Sequence, residues 1–388
     1  AKLTAEEDPT NSNLVSLNTA LAALPLEDRV QVEIANESGS AAVYLPRLNR
    51  AENWVANDLL EILKTPPTLE IPRPEAALAW AQKTLGLDLS PSQAQAVGLA
   101  LEHKLLVITG GPGTGKTTIT RVISAIFGAV KARIALVAPT GRAARRLGEA
   151  TGLVAKTVHR LLEYSPQAGG FLKGPKNKLE VDLLLVDEAS MVDLPLMNQL
   201  TGALPRQGRL ILVGDHDQLP SVGPGRVLAD LMESGVAAVA RLREIHRQAG
   251  GSQIVQAAHQ VNEGLFPESS QDRDQGDFYF IEENESHKIE EKILYLIEKK
   301  IPKKLGVDPL EDIQVLTPMH SRDLGTEHLN KILSEHLNPH GGQALMRSGR
   351  VFKKGDRVMQ LRNNYQREVF NGDSGRVAAI DQETQELS

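Results

Sequence analysis

The stretch TGGPGTGKTT, residues 109 to 118, lies between the apolar run LLVI and the helix-like TTITRVISAIF. Gly110, Gly115, Lys116 and Thr117 fall at the G-x-x-x-x-G-K-T spacing of a loop that wraps a phosphate chain. Glycine lets the backbone turn tightly enough to aim several N–H groups at one anion, and a helix opening at Lys116 adds its positive end. The spacing predicts a nucleoside triphosphate site lined by Gly110, Gly111, Gly113, Thr114, Gly115, Lys116, Thr117 and Thr118. Lys116 reaches the β- and γ-phosphates in this reading, and Thr117 ligates Mg2+.

Two further clusters suit the same chemistry. Asp187 and Glu188 end the apolar run LLLV, where one acid can hold Mg2+ through water and its neighbour can polarise the attacking water. Gln218, in GDHDQLPSVGPG, follows another apolar run, and its amide can contact the γ-phosphate and report its loss.

Apolar strands must carry these groups. LLVITG, RIALVAP, DLLLVDE and RLILVGD are apolar throughout rather than alternating, the pattern of a parallel sheet covered on both faces. Between them the chain reads as loop and helix, so a doubly wound α/β core is expected, with its site at the carboxyl ends of the strands. Ahead of it, residues 1–64 hold a polar start, a strand pair in VQVEIANESGSAAVYL and an amphipathic helix around AENWVANDLLEILK. The four prolines of TPPTLEIPRP, residues 65–74, mark a boundary. Residues 163–182 carry Gly169-Gly170 between short runs and read as a hairpin.

At 388 residues the chain is long enough for about two or three domains. Cysteine is absent, which excludes disulfides and thiolate metal sites, and no apolar run approaches membrane-spanning length, so a cytoplasmic protein is expected with no membrane partner. The net charge of −6 argues against a nucleic-acid partner until its distribution is considered. Residues 121–160 hold eight Lys and Arg against Glu149 alone, a local +7. Such a run by itself describes a solvated helix face. The histidines at 320, 328, 336 and 340 lack a compact ligand spacing and read the same way.

GGPGTGKTT, APTGRAARRL (138–147), TVHRLL (157–162), LLVDEAS (184–190), GDHDQLPSVGPG (214–225) and LREIHRQA (242–249) together resemble the ordered motifs I to IV of superfamily 1 helicases. Their wording is most similar to the RecD branch (SF1B), the family of the exonuclease V alpha subunit. Segments 315–330 and 356–377 resemble that branch too. The resemblance implies an α/β P-loop NTPase fold. An N-terminal domain spans residues 1–70 and a RecA-like motor domain residues 71–240. A partial second RecA-like domain, with a strand at IQVLTPM, spans 241–345, and an SH3-like β-barrel insertion starts at 346–388, with a turn at Asn371-Gly372.

The resemblance also assigns roles. Gln93 reads adenine, making ATP the nucleotide; Arg247 reaches the γ-phosphate as an arginine finger; and Thr140, Arg142 and His159 contact single-stranded DNA. Glu188, Lys116, Gln218 and Arg247 form the catalytic set. The 163–182 hairpin would part the duplex at single-strand/double-strand junctions, and other recombination or repair subunits are expected partners. The implied activity is ATP-dependent 5′-to-3′ translocation and unwinding, with a nucleotide-gated DNA clamp or relaxase-associated module as the alternative. Because the family's motifs V and VI would follow the barrel, the sequence reads as a fragment, expected to bind ATP and DNA but turn over poorly.

Overall fold

The computed structural model describes residues 30–35, 40–244, 252–268, 276–347, 349–361, 364, 367, 369 and 372–388. The chain divides into two compact units, Ala1–Gly250 and Gly251–Ser388.

In the first unit, β1 (Gln31–Ala35) and β2 (Ser40–Tyr44) form the expected antiparallel pair, followed by α1 (Pro46–Lys64). The proline-rich segment is irregular until Pro74 opens α2 (Pro74–Leu85), a position where its missing N–H and fixed φ cost nothing. Next come α3 (Pro91–Glu102), β3 (Leu105–Thr109), α4 (Lys116–Ala129), β4 (Ile134–Ala138), α5 (Gly141–Thr151), β5 (Ala155–Thr157) and the short α6 (Val158–Leu161). The Gly169-Gly170 segment makes a small hairpin of β6 (Tyr164–Ser165) and β7 (Gly170–Phe171). The unit continues through β8 (Leu183–Val186), α7 (Leu194–Ala203), β9 (Arg209–Gly214), α8 (Val227–Glu233) and β10 (Ala238–Arg241).

Six strands form one sheet in the order β10-β3-β9-β8-β4-β5, every pair parallel. Strands β3, β8 and β9 are buried along their whole length because the sheet has helices on both faces. Leu105, Val107, Leu184, Val186, Leu210 and Leu212 face α1 and α7, whereas Leu106, Ile108, Leu185, Ile211 and Val213 face α3 and α4. Helix α1 therefore packs onto the sheet, contributing Val55, Leu59 and Ile62 to the same core as the strands. All four strands read from sequence are in this sheet, and each ends on the edge that carries a polar loop.

The second unit contains α9 (Gln253–Asn262), α10 (Ser286–Tyr295) with a wider turn after it, α11 (Ile301–Leu305) and α12 (Thr326–Leu337). Three two-stranded antiparallel pairs follow: β11 (Ala344–Arg347) with β12 (Arg350–Lys353), β13 (Arg357–Met359) with β14 (Ser374–Arg376), and β15 (Ile380–Asp381) with β16 (Glu386–Leu387). Leu345, Val377 and Ile380 form their small core. Asn371 lies outside the described residues, so the turn read at Asn371-Gly372 is described only at Gly372, whose φ of 92° suits a glycine turn.

The strand expected at IQVLTPM is not formed; residues 313–317 are irregular and Leu316 is 87% exposed. Among the described residues no segment pairs with it, and the hydrogen bonds near its ends come from side chains instead. Arg357 Nη1 donates to the carbonyls of Leu310 and Ile313 at 3.0 and 3.1 Å, and Thr317 Oγ1 donates to Leu324 O at 2.7 Å. Of the four histidines, His328 and His336 sit beside Glu290 and Glu298 at 2.7 and 2.6 Å, pairing α12 with α10 and the turn after it.

Candidate nucleotide and nucleic-acid site

Strand β3 ends at Thr109, and the next residues turn back before α4 starts. Gly113 and Gly115 adopt φ of 78° and 84°, a region costly for any residue with a Cβ. A Cβ on Gly110 would lie 2.7 Å from Thr114 Oγ1 and 2.8 Å from Leu242 Cβ, so the loop closes only because that position is bare. Thr114 is buried and donates to Gly111 O at 2.8 Å, bracing the loop from inside. Lys116 Nζ folds back onto Gly110 O at 2.5 Å and Gly111 O at 3.0 Å, while Thr117 is exposed and Thr118 half-buried at the mouth.

Gln93 is 1% exposed and braces the same loop from α3. Its Nε2 donates to Thr114 O at 3.0 Å, and its Oε1 accepts from Ser90 N at 3.1 Å, the reciprocal half of a capping box. Its amide therefore holds the loop through Thr114.

Asp187 follows β8 and is placed by its N–H, which donates to Val137 O of β4 at 2.8 Å. Its Oδ1 accepts from Glu188 N at 3.0 Å. Burial pushes the Asp187 carboxyl up, and the Glu188 N–H and the charge of Lys116 pull it back. Glu188 sits at φ 52°, in the left-handed region where few side chains are found. This left-handed residue turns the chain directly after Asp187, ahead of the short helical turn Ala189–Met191. The Asp187 carboxylate and Thr117 hydroxyl are hard oxygen donors that fit Mg2+.

Gly214, ending β9, lets the acidic turn approach: a Cβ there would lie 3.1 Å from Ser190 N and 3.3 Å from Ala189 N. Beyond it, buried Asp215 organises the loop, accepting from Asp217 N at 3.1 Å and from Gln218 Nε2 at 3.4 Å. Gln218 is otherwise exposed. Arg247 lies outside the described residues.

Thr140, Arg142 and His159 occupy the same edge of the sheet, after β4 and β5. Thr140 is the N-cap of α5, its Oγ1 accepting from Ala143 N at 3.2 Å, and Arg142 is exposed in the first turn beyond it. His159 packs against the hairpin, its ring centroid 5.4 Å from Phe171 and 6.0 Å from Tyr164, which lie 5.2 Å from each other. Desolvation lowers the His159 pKa, opposed by the charge of Asp193. The structure thus gathers the loop, the acid pair, Gln218 and the basic and aromatic groups along one edge.

Two family profiles match the chain: one described as "AAA domain" over residues 93–224, and one described as "ATP-dependent RecD-like DNA helicase SH3 domain" over residues 329–388. The ATP-dependent RecD2 DNA helicase of Deinococcus radiodurans is 38% identical over 344 residues, which cover 88% of this chain and 45% of that protein. The RecBCD enzyme subunit RecD of Mycolicibacterium smegmatis is 33% identical over 370 residues, covering 87% of this chain and 64% of that protein. Over most of its length the chain is similar to these RecD-type helicases. It spans about half to two thirds of the length of these two relatives. A crystal structure of Pif1 helicase from Candida albicans aligns with a TM-score of 0.39 at 19% identity, over 77% of this chain and 70% of that one.

Sequence reasoning missed several groups that shape this RecD-like site. Asp215 stood inside the quoted motif but carried no assigned role; a carboxylate two and three residues ahead of N–H donors is an Asx-turn signal that could have marked it. Ser90 and Gln93 have the S-x-x-Q spacing of a capping box, with Pro91 at the first helical position, so the buried bracing role of Gln93 was readable. Thr109 and His216, 107 residues apart, meet at 2.9 Å, and no local pattern announces that contact.

Proposed function

We propose that this chain is the nucleotide-hydrolysing part of an ATP-driven motor that moves along single-stranded DNA, 5′ to 3′, and parts duplex at single-strand/double-strand junctions. The observation that carries this reading is the convergence of the phosphate loop, the Asp187-Glu188 pair and the Gln218 loop on the carboxyl ends of the adjacent strands β3, β9 and β8, with Arg142 and the His159 cluster on the same edge. A binding fold needs the loop; a hydrolase needs the acid beside it.

Lys116 exchanges the carbonyls of Gly110 and Gly111 for the β- and γ-phosphates, and the N–H groups of Gly113 to Lys116 orient the chain. Thr117 and Asp187 would hold Mg2+, which would offset phosphate charge. Glu188, at the left-handed turn after Asp187, takes a proton from the attacking water. Gln218, steadied by Asp215, senses the γ-phosphate at the start of a loop that continues to exposed Leu219 and Val222. Arg247 supplies positive charge to the transferred phosphoryl group. The basic stretch holds the strand by its phosphates without reading sequence, and the hairpin presents Tyr164 and Phe171 to bases. Repair or recombination subunits are the fitting partners, the cytoplasm the fitting place.

Steady-state ATP hydrolysis with and without oligo-dT tests the reading. Glu188→Gln should retain nucleotide binding and lose about 10²- to 10⁴-fold in turnover. If DNA stimulates neither this chain nor a longer form, the motor reading fails.

A further inference from the structure

Thr109 is fully buried at the last position of β3, directly before Gly110, and its hydroxyl meets the loop that follows β9. It accepts from the backbone N–H of His216 at 3.2 Å and lies 2.9 Å from Nδ1 of the same residue. The imidazole's other nitrogen, Nε2, stands 3.3 Å from Asp217 Oδ1. A nitrogen facing a carboxylate carries a proton, so in the neutral ring Nε2 is the donor and Nδ1 the acceptor. Thr109 Oγ1 then accepts one hydrogen bond and donates the other, and a single hydroxyl clips both the backbone and the side chain of His216. Two residues on, Gln218 hangs from Asp215, whose own Oδ1 holds Asp217 N. The loop bearing Gln218 is therefore pinned at two points, Asp215 within it and Thr109 from the strand that runs into the phosphate loop.

We propose that Thr109 and His216 are positioning residues that set the Gln218 loop in register with the phosphate loop, so that a change at one is felt at the other. This rests on the hydrolytic reading above for its kinetic consequence but not for its geometry. The main-chain bonds Gly110 N to Gly214 O, at 3.4 Å, and Leu242 N to Thr109 O, at 2.8 Å, tie the neighbouring strands together but do not reach the Gln218 loop; the Thr109 hydroxyl does. The ligating atoms of Asp215, His216 and Asp217 lie within 4.8 Å of one another, a closeness the turn itself accounts for.

Thr109→Val keeps the shape and removes the hydroxyl; Thr109→Ser restores it. With a fluorescent ATP analogue, Thr109→Val should bind within about twofold of the parent, while kcat for DNA-stimulated hydrolysis falls about tenfold. Thr109→Ser should recover kcat to within about twofold, and adding His216→Ala to Thr109→Val should lower kcat no further, because one contact is being removed twice. Equal losses of affinity and kcat, or additive losses in the double variant, would overturn the proposal. Nitrogen-15 NMR of the His216 ring gives a second readout that needs no activity: the parent should show the Nε2–H tautomer and Thr109→Val should lose that preference. A parent ring protonated at Nδ1, or a tautomer indifferent to the Val substitution, overturns it equally. If neither this chain nor a longer form hydrolyses ATP but the expected tautomer change is seen, the motor reading fails and the positioning contact stands.

Discussion

Strand β3 has a lysine near each end, and the two do opposite work. Lys104 precedes the strand and is 8% exposed; its Nζ donates to Ile62 O, to Thr65 O at 2.5 Å and to Arg206 O at 2.7 Å. Lys116, past the loop at the other end, donates to Gly110 O and Gly111 O. Among the described residues both ammonium groups donate to main-chain carbonyls alone. Those of Lys104 come from the last turn of α1, the proline-rich segment and the turn before β9, three stretches brought together at one atom. Lys116 holds carbonyls of the loop beside it, already shaped by glycines, so a phosphate can replace them without releasing any distant segment. A cation is structural where its partners are far apart in sequence and fixed, and available where they are adjacent and replaceable.

Arg209 strengthens the contrast at the same foot of the sheet. It is 3% exposed, donates to His103 O at 2.9 Å and Leu69 O at 3.2 Å, and lies 5.7 Å from the centre of the Phe127 ring. It and Lys104 each take carbonyls at or beyond the carboxyl end of a helix, α3 and α1, where a positive charge is favoured. They line a hollow of about 490 Å³ with Pro66, Pro67 and Ile71; Lys104 gives three hydrogen bonds to the chain, whereas Arg209 gives two and keeps a buried Nε that meets no acceptor among the described residues.

The largest effects should come from exchanging the fates of the two lysines. Lys116→Ala should lower ATP hydrolysis by about 10²-fold or more, with the urea midpoint of the unit nearly unmoved. Lys104→Met, which leaves three carbonyls unpaired, should cost about 3 kcal/mol of stability and spare the affinity for a fluorescent ATP analogue. A Lys104→Met protein as stable as the parent, or a Lys116→Ala protein that unfolds, would erase the distinction.

A pH titration sharpens it. Burial, and then the neighbouring charge of Arg209, lower the Lys104 pKa to about 8 from 10.5. Between those values the unfolded chain binds more protons at this position than the folded one, so its contribution to stability rises with pH across the window and is flat below about 8. The stability gap between the parent and Lys104→Met, measured by urea at pH 7.5 and 9.5, should therefore widen at the higher pH. A constant gap would mean that the ammonium is no harder to keep charged in the fold than in water.

The same contrast explains what could be read from the sequence. The carboxyl edge was legible because each of its devices is local: TGGPGTGKTT, the acids after LLLV and Gly169-Gly170 each need only a dozen residues to be recognised. The sheet was legible because strands buried on both faces are apolar at every position. The foot was not, because Lys104 looks like any lysine flanking a strand until residues 62, 65 and 206 are brought to it. IQVLTPM failed for a related reason: its composition suits a strand, but a strand exists only beside another, and among the described residues none is offered.

The smallest effect separates charges spent internally from charges left for a partner. On α5, Arg145 Nε pairs with Glu149 at 3.0 Å, one turn away, and both side chains are mostly exposed. Such a pair adds little to stability, so Glu149→Gln should leave the denaturation midpoint unchanged. It should, however, raise the local charge of residues 121–160 from +7 to +8 and release Arg145 beside exposed Arg142 and Arg146. If this face meets the phosphates of a single strand, oligo-dT should bind slightly more tightly at low salt, and the slope of log affinity against log salt should steepen by about 0.7, the value of one added contact. Glu149→Gln with an unchanged slope would place Arg145 off the path of the strand, and the neighbouring variant Arg142→Gln would then show whether the path follows the first turn of α5, where Thr140 fixes the backbone.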